Sequence, residues 1–239
     1  MRSTVLSALV LLTAISPAMA QPRAVIELFT SQGCSSCPPA DRAMNSWADQ
    51  ADVVALTMPV DYWDYLGWKD TLASHDFTVR QRAYSERRGD RNVYTPQVVV
   101  DGLVHAVGSN DADVAAAIRE AHAKANVLSV PVTISGGTAG YTIAIGAGAG
   151  GTKGKVFLVP ISRQVKVAIG RGENNGATIT YSNVARAMRP IGDYTGAALT
   201  LTLDAKAVSA PGSDAFAVLV QEIDGGRPAA ILGAALQHP

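Results

Sequence analysis

The chain has two cysteines, Cys34 and Cys37, two residues apart in AVIELFTSQGCSSCPPADRAM and directly after a hydrophobic run. Such a pair can exchange disulfides, supply half of a metal site or form a local staple. A bridge across so short a gap constrains little of the unfolded chain, which weakens the staple reading. As thiolates, the two residues could begin a tetrahedral zinc site or hold Cu(I). The other ligands would come from His75, His105, His122 or Met58, none at short, matched spacing. His75 is the best third ligand in that alternative set of Cys34, Cys37 and His75. The exchange reading calls for no cofactor.

Pro38 and Pro39 locate the helix that follows. A proline beyond the first turn would cost a helix hydrogen bond, so the cap is expected no earlier than Ser36. Cys34 is then expected just before the helix, among free amides that stabilise a thiolate, and Cys37 inside its first turn. This predicts one reactive, exposed sulfur at Cys34 and one covered, resolving sulfur at Cys37. An isolated CxxC is weak evidence, but one at the strand-to-helix junction of a βαβ unit is stronger. VYTPQVVVDG adds Pro96 immediately before a strand. A cis proline there would hold the preceding backbone against the cysteines, with Thr95 facing the disulfide.

Two further segments could line a substrate groove. PVDYWDYLGWKD sets Trp63, Tyr65 and Trp68 among carboxylates, either covering the sheet or selecting a peptide partner beside Cys34. VAIGRGENNGATITYSNVARAM sets Arg171, Glu173 and Asn174 in a Gly-rich bend after a strand. It lacks the Lys-Ser/Thr ending of a phosphate loop. A polar turn packed on the first domain competes there with a contribution to substrate binding.

The elements that must position these residues read in order. A strand over 25–29 leads to a helix over about 36–47, then DVVALTMPV as a second buried strand. A helical stretch over 74–87 follows, and QVVVDGLVHAVG is a hairpin about Asp101-Gly102. NDADVAAAIREAHAKA is a helix opened by Asn110 or Asp111, with Val114, Ala117, Ile118 and Ala121 inward. Beyond Val127, five to seven short strands with Gly-containing turns predict a β-sandwich or barrel-like part. PAAILGAALQ is a candidate edge strand, and only SNVARAM offers a short helix.

Residues 1–20 read as a signal peptide: Arg2, the apolar VLSALVLLTAIS, then the small-residue site AMA. An exported chain of 21–239 is expected, with no later apolar run long enough to span a membrane. Its domains are expected at 21–125, an α/β unit with a helical insertion at about 61–92, and 126–239, a β-rich unit. Twenty basic residues balance twenty acidic ones, which gives no support to nucleic-acid or anionic-membrane partners. The basic cluster RQRAYSERRGDR reads as a solvated helix face rather than a phosphate site.

ELFTSQGCSSCPPAD, PVDYWDYLGWKD, YTPQVVVDG and IGRGENNGATITYSNV together resemble the exported bacterial family called domain of unknown function 1223. The resemblance runs across almost the whole mature chain. It implies a thioredoxin-like α/β domain with an added β-rich C-terminal part. The narrower thioredoxin resemblance, over about 23–125, makes Cys34 the attacking cysteine, Cys37 the resolving one and Pro96 the cis proline. Ser35-Ser36 stands between the cysteines in place of Gly-Pro, and the buried acid common in thioredoxins has no secure counterpart, although Glu27 lies in the first strand.

The function expected is an exported, periplasmic thiol–disulfide oxidoreductase acting on protein or peptide thiols, with a redox partner protein. The alternative is a non-catalytic thioredoxin-like module that binds a peptide, a protein or a metal such as Cu(I) or Zn(II).

Overall fold

The computed structural model describes residues 21–124 and 126–238; the expected signal peptide lies outside the described residues. Strand β1 (Ala24–Thr30) is buried along its whole length because both of its faces are covered. Ala24, Ile26 and Leu28 pack with helices α1 (Pro38–Ala48) and α3 (Asp111–His122), while Val25 and Phe29 enter a second core. Strand β2 (Val53–Pro59) pairs parallel to β1, so β1–α1–β2 is the expected βαβ unit. Strands β3 (Gln97–Val100) and β4 (Val104–Val107) form the expected hairpin, with β3 antiparallel to β1. Its turn holds Asp101 at φ 50° and Gly102 at φ 74°, the left-handed pair that a tight hairpin requires. The caps also follow the sequence. Asn110 accepts from the Ala112 and Asp113 amides at the start of α3. Ser74 caps helix α2 (His75–Arg88), and left-handed Gly89 ends it.

The second part is mostly β: β5 (Val132–Gly137), β6 (Gly140–Ile145), β7 (Gly154–Ala168), β8 (Thr178–Ala185), β9 (Arg189–Tyr194), β10 (Leu199–Leu203), β11 (Ala215–Asp224) and β12 (Arg227–Gln237). These are eight strands among the described residues, against the five to seven expected. SNVARAM is no helix; its first four residues close β8, which pairs antiparallel with β7 from Ala168↔Thr178 to Ile161↔Ala185. A seven-residue segment has too few turns to pay for helix nucleation, whereas long-range pairing buries Ile179, Tyr181 and Val184.

Both parts share one sheet, in the order β12-β11-β7-β8-β2-β1-β3-β4, with β9 added on β7. They join where β8 runs parallel to β2 at Thr57↔Val184, and Thr57 Oγ1 donates to the Ser182 carbonyl at 2.6 Å. The sheet curls there. Val25, Phe29, Leu56, Met58 and Val99 consequently share a core with Val159, Ala217, Leu219 and Ile231. The far strand β12 returns to the hairpin, and the Ile231 amide donates to the Asp101 carbonyl at 2.9 Å. A Cβ at Gly102 would collide with the Ala229 carbonyl, so this approach requires glycine. On the opposite face of β7, β11 and β12 lies a three-stranded sheet of β10, β6 and β5, closing a sandwich around Val132, Ile143, Leu158, Val218 and Leu232.

In the basic cluster, Arg82, Glu86 and Arg91 are solvent-exposed as expected, and Arg80 is the exception. Arg80 is only 9% exposed and donates to Glu27 Oε1 at 2.7 Å, to Tyr84 Oη and to Gln221 Oε1. Tyr84 donates to the other Glu27 oxygen. Glu27 points into the curled core beside Phe29, so its charge demands a buried counter-ion, and α2 supplies it.

Candidate redox site

The sulfur pair sits where β1 gives way to α1. After Thr30 the chain turns, with Cys34 N–H donating to the Ser31 carbonyl and Cys37 N–H to the Cys34 carbonyl. Cys37 is the N-cap of α1, and Pro38 and Pro39 open the helix where their missing N–H groups cost nothing. Cys37 was expected one step further on, inside the first turn. Cys34 and Cys37 are joined in a disulfide.

The Thr95–Pro96 peptide bond is cis, and it brings the Thr95 carbonyl to 3.7 Å from Cys34 Sγ. Ser36 Oγ stands 3.4 Å from both that carbonyl and that sulfur. Trp63 Nε1 donates to Thr95 Oγ1 at 2.8 Å, and a Cβ at Gly33 would lie 3.0 Å from Trp63 Cβ. Glycine before Cys34 thus lets the indole close over the loop. These contacts correct the expected exposure: Cys34 is 1% exposed and Cys37 fully covered, while Ser35 and Ser36 reach solvent.

Two segments distant in sequence tie down the cysteine loop. One is the insertion after β2. Gln32 donates its amide to Asp70 Oδ2 at 2.8 Å, and its side-chain oxygen accepts from Trp68 Nε1 at 2.8 Å and from the Thr71 amide. Asp70 also accepts from the Leu72 and Ala73 amides. Burial pushes the Asp70 carboxyl up, against these donated amides. The other segment is the tip of the β7–β8 hairpin. Glu173 Oε2 accepts from the Ser35 amide at 3.1 Å, and Asn174 Nδ2 donates to the Gln32 and Cys34 carbonyls, each at 2.9 Å. Trp68 joins the two segments by packing against Gly170 and Gly172.

Of the residues picked out from sequence, Cys34, Cys37, Thr95, Pro96, Trp63, Trp68, Glu173 and Asn174 therefore belong to one assembly. Tyr65 and Arg171 are solvent-exposed on its margin. His75 pairs with Asp61 at 2.9 Å. Partial desolvation of Asp61 is outweighed by hydrogen bonds from Thr78 and His75, which hold its carboxyl low. His105 lies between Tyr94 and Asp90, and His122 against the Arg23 carbonyl. No three His, Cys, Asp or Glu side chains converge on a metal position among the described residues.

Asp41 was missed. It lies one helical turn beyond Cys37, its amide donating to the Cys37 carbonyl at 3.1 Å. Its Oδ1 accepts from Thr30 Oγ1 at 2.7 Å, while Oδ2 has no partner among the described residues. Burial pushes its pKa up to about 7, with nearby Asp70 adding to the rise and the Thr30 bond opposing it. Its i+4 spacing from Cys37 was the available signal, since a helix places such residues on one face. Gln32 was overlooked although it stands inside the quoted motif; nothing local marks a glutamine as a clamp.

A CxxC disulfide at a strand-to-helix junction, facing a cis proline loop, is the arrangement of a thioredoxin-like thiol–disulfide oxidoreductase active site. The chain itself belongs to the family described as protein of unknown function DUF1223, whose model matches residues 25–221. It is similar to a crystallographically determined protein of Agrobacterium tumefaciens, at 35% identity and TM-score 0.82, over 92% of this chain and 96% of that one. The fold is also shared with HBP35 of Porphyromonas gingivalis, at 11% identity and TM-score 0.60, over 91% of this chain and 75% of that one. No curated protein matches the chain. Among the described residues no helix is long and apolar enough to cross a membrane.

Proposed function

We propose that this chain is an exported thiol–disulfide oxidoreductase that exchanges disulfides with protein or peptide thiols in the bacterial periplasm. The observation that carries this reading is the Cys34–Cys37 disulfide at the N-terminus of α1, packed against the Thr95–Pro96 turn. Export rests on the leader-like composition of residues 1–20 and on the family resemblance. In the exchange, a partner thiolate attacks Cys34 Sγ, the Sγ–Sγ bond breaks, and Cys37 leaves as a thiolate. A second partner thiol then releases Cys34, so the partner leaves as a disulfide and the protein keeps two electrons and two protons. Run backwards, the same steps reduce a partner disulfide and re-form the Cys34–Cys37 bond. Asp41 is the buried acid on the helical turn of Cys37 and would position or exchange the proton of that covered sulfur.

Near-complete burial of Cys34 favours a second reading, a peptide-binding module whose disulfide is structural. A Cys37→Ser variant separates the two. With its resolving sulfur gone, the first reading predicts stable mixed disulfides on Cys34 in the native compartment, absent from Cys34→Ser. Capture of nothing, together with exchange no faster than in the unfolded chain, overturns the first reading.

A further inference from the structure

The β7–β8 hairpin tip meets the cysteine loop through two side chains. Below it, Ile169 and Ile179 are buried with Trp68 and Leu72, so the hairpin stem is fixed to the insertion. The tip holds its own shape through four internal bonds: the Ile169 amide to the Ala177 carbonyl, Asn175 to Gly172, Gly176 to Ile169, and Ala177 to Asn174. Left-handed Gly172 and Gly176 set its bends. Toward the cysteines it reaches only by side chains, Glu173 to Ser35 and Asn174 to Gln32 and Cys34. Glu173 is exposed and Asn174 half-buried. Parting these contacts costs no ladder bond of the sheet and can leave Trp68 packed against Gly170 and Gly172.

The groups that the tip occupies are main-chain groups: one N–H at Ser35 and two carbonyls, at Gln32 and Cys34. The Asn174 amide donates to the carbonyls and the Glu173 carboxylate accepts from the N–H. An extended peptide offers the same donor and acceptor from its backbone. A small thiol has no backbone to present that donor and acceptor together along the loop.

We propose that Glu173 and Asn174 form a displaceable cap that makes Cys34 selective for thiols carried on extended peptide segments over small-molecule thiols. This rests on the exchange reading above and names the substrate class of the same site. A peptide replaces the bonds it breaks, so its exchange is little hindered. Dithiothreitol must wait for the cap to open unaided.

The test compares the rates at which dithiothreitol and a cysteine-containing peptide of about ten residues reduce the oxidised full chain. Asn174→Ala removes two hydrogen bonds of the cap and should speed reduction by dithiothreitol about tenfold. The peptide rate should change by no more than about twofold, so the preference collapses. Hydrogen exchange at the Ser35 amide should lose about tenfold in protection, while amides of β11 keep theirs. Lys155→Ala, which removes the distant Lys155–Asp193 pair, controls for a general loss of stability and should alter neither rate. Glu173→Ala gives an independent reading should Asn174→Ala fold poorly. Equal acceleration of both reductants, or unchanged dithiothreitol rates in both variants, overturns the cap while leaving the oxidoreductase reading intact. Exchange with neither reductant, in any variant, faster than in the unfolded chain overturns both.

Discussion

The two segments that hold the cysteine loop do so in opposite ways. The insertion grips Gln32 from within: Asp70 is 5% exposed and Gln32 1% exposed, and one carboxylate collects three amides. The hairpin tip grips Ser35 and Cys34 from solvent, with an exposed carboxylate and one half-buried amide. A buried acceptor that loses its donors suffers the full desolvation penalty, whereas an exposed one turns to water. The first tether is therefore part of the fold, and the second is a contact that a partner can compete for. One site thus combines a rigid floor with a replaceable cover.

Asp70→Ala breaks the inner tether and has the largest expected loss of stability. Three amides lose a shared charged acceptor, so stability should fall by about 3 kcal/mol in denaturant unfolding. A loss no larger than that of an exposed carboxylate would erase the distinction between the tethers.

Asp41→Asn probes the floor between them. The unfolded carboxyl titrates near 3.8 and the folded one at about 7. Between those values the native state keeps a proton that the unfolded chain has released, so native stability falls as pH rises and levels off above 7. Asparagine keeps an acceptor for Thr30 but has no proton to lose. The variant should lose the slope between about pH 4 and 7 and be more stable at pH 8 by on the order of 2–4 kcal/mol. Thermal melts across that range check this; a parental slope retained in the variant would place the titration elsewhere.

Trp68→Phe tests the member common to both tethers at the smallest cost. It keeps Cβ against Gly172 but removes the bond to Gln32 and the far edge of the indole at Gly170. Stability should fall by about 1 kcal/mol. Reduction by dithiothreitol should rise less than in Asn174→Ala, because the outer contacts remain.

Features governed by neighbours in sequence could be read directly. Asn110 and Ser74 cap the helices they precede, Asp101-Gly102 turns the hairpin, and the paired prolines begin α1. Glu173 and Asn174 stood out as polar residues in a Gly-rich bend, although their partners lie about 140 residues away. What sequence did not reveal depends on closure of the sheet. Arg80 looks solvated until β1 and β11 bring Glu27 and Gln221 to it. Ser182–Ala185 look helical until β7 pairs with them. Cys34 looks exposed until Trp63 arrives from nearby in the chain and the hairpin tip from 140 residues away.

That last contact gives the site a history within the life of each molecule. A polypeptide is made from its N-terminus, so Cys34 leaves the ribosome 140 residues ahead of the asparagine that will hold its carbonyl. Until β7 and β8 form, the cysteine loop lacks the tip's hydrogen bonds at Gln32, Cys34 and Ser35. The tip's share of the cover is therefore the last to be added, after Trp63 and Thr95 have already been made.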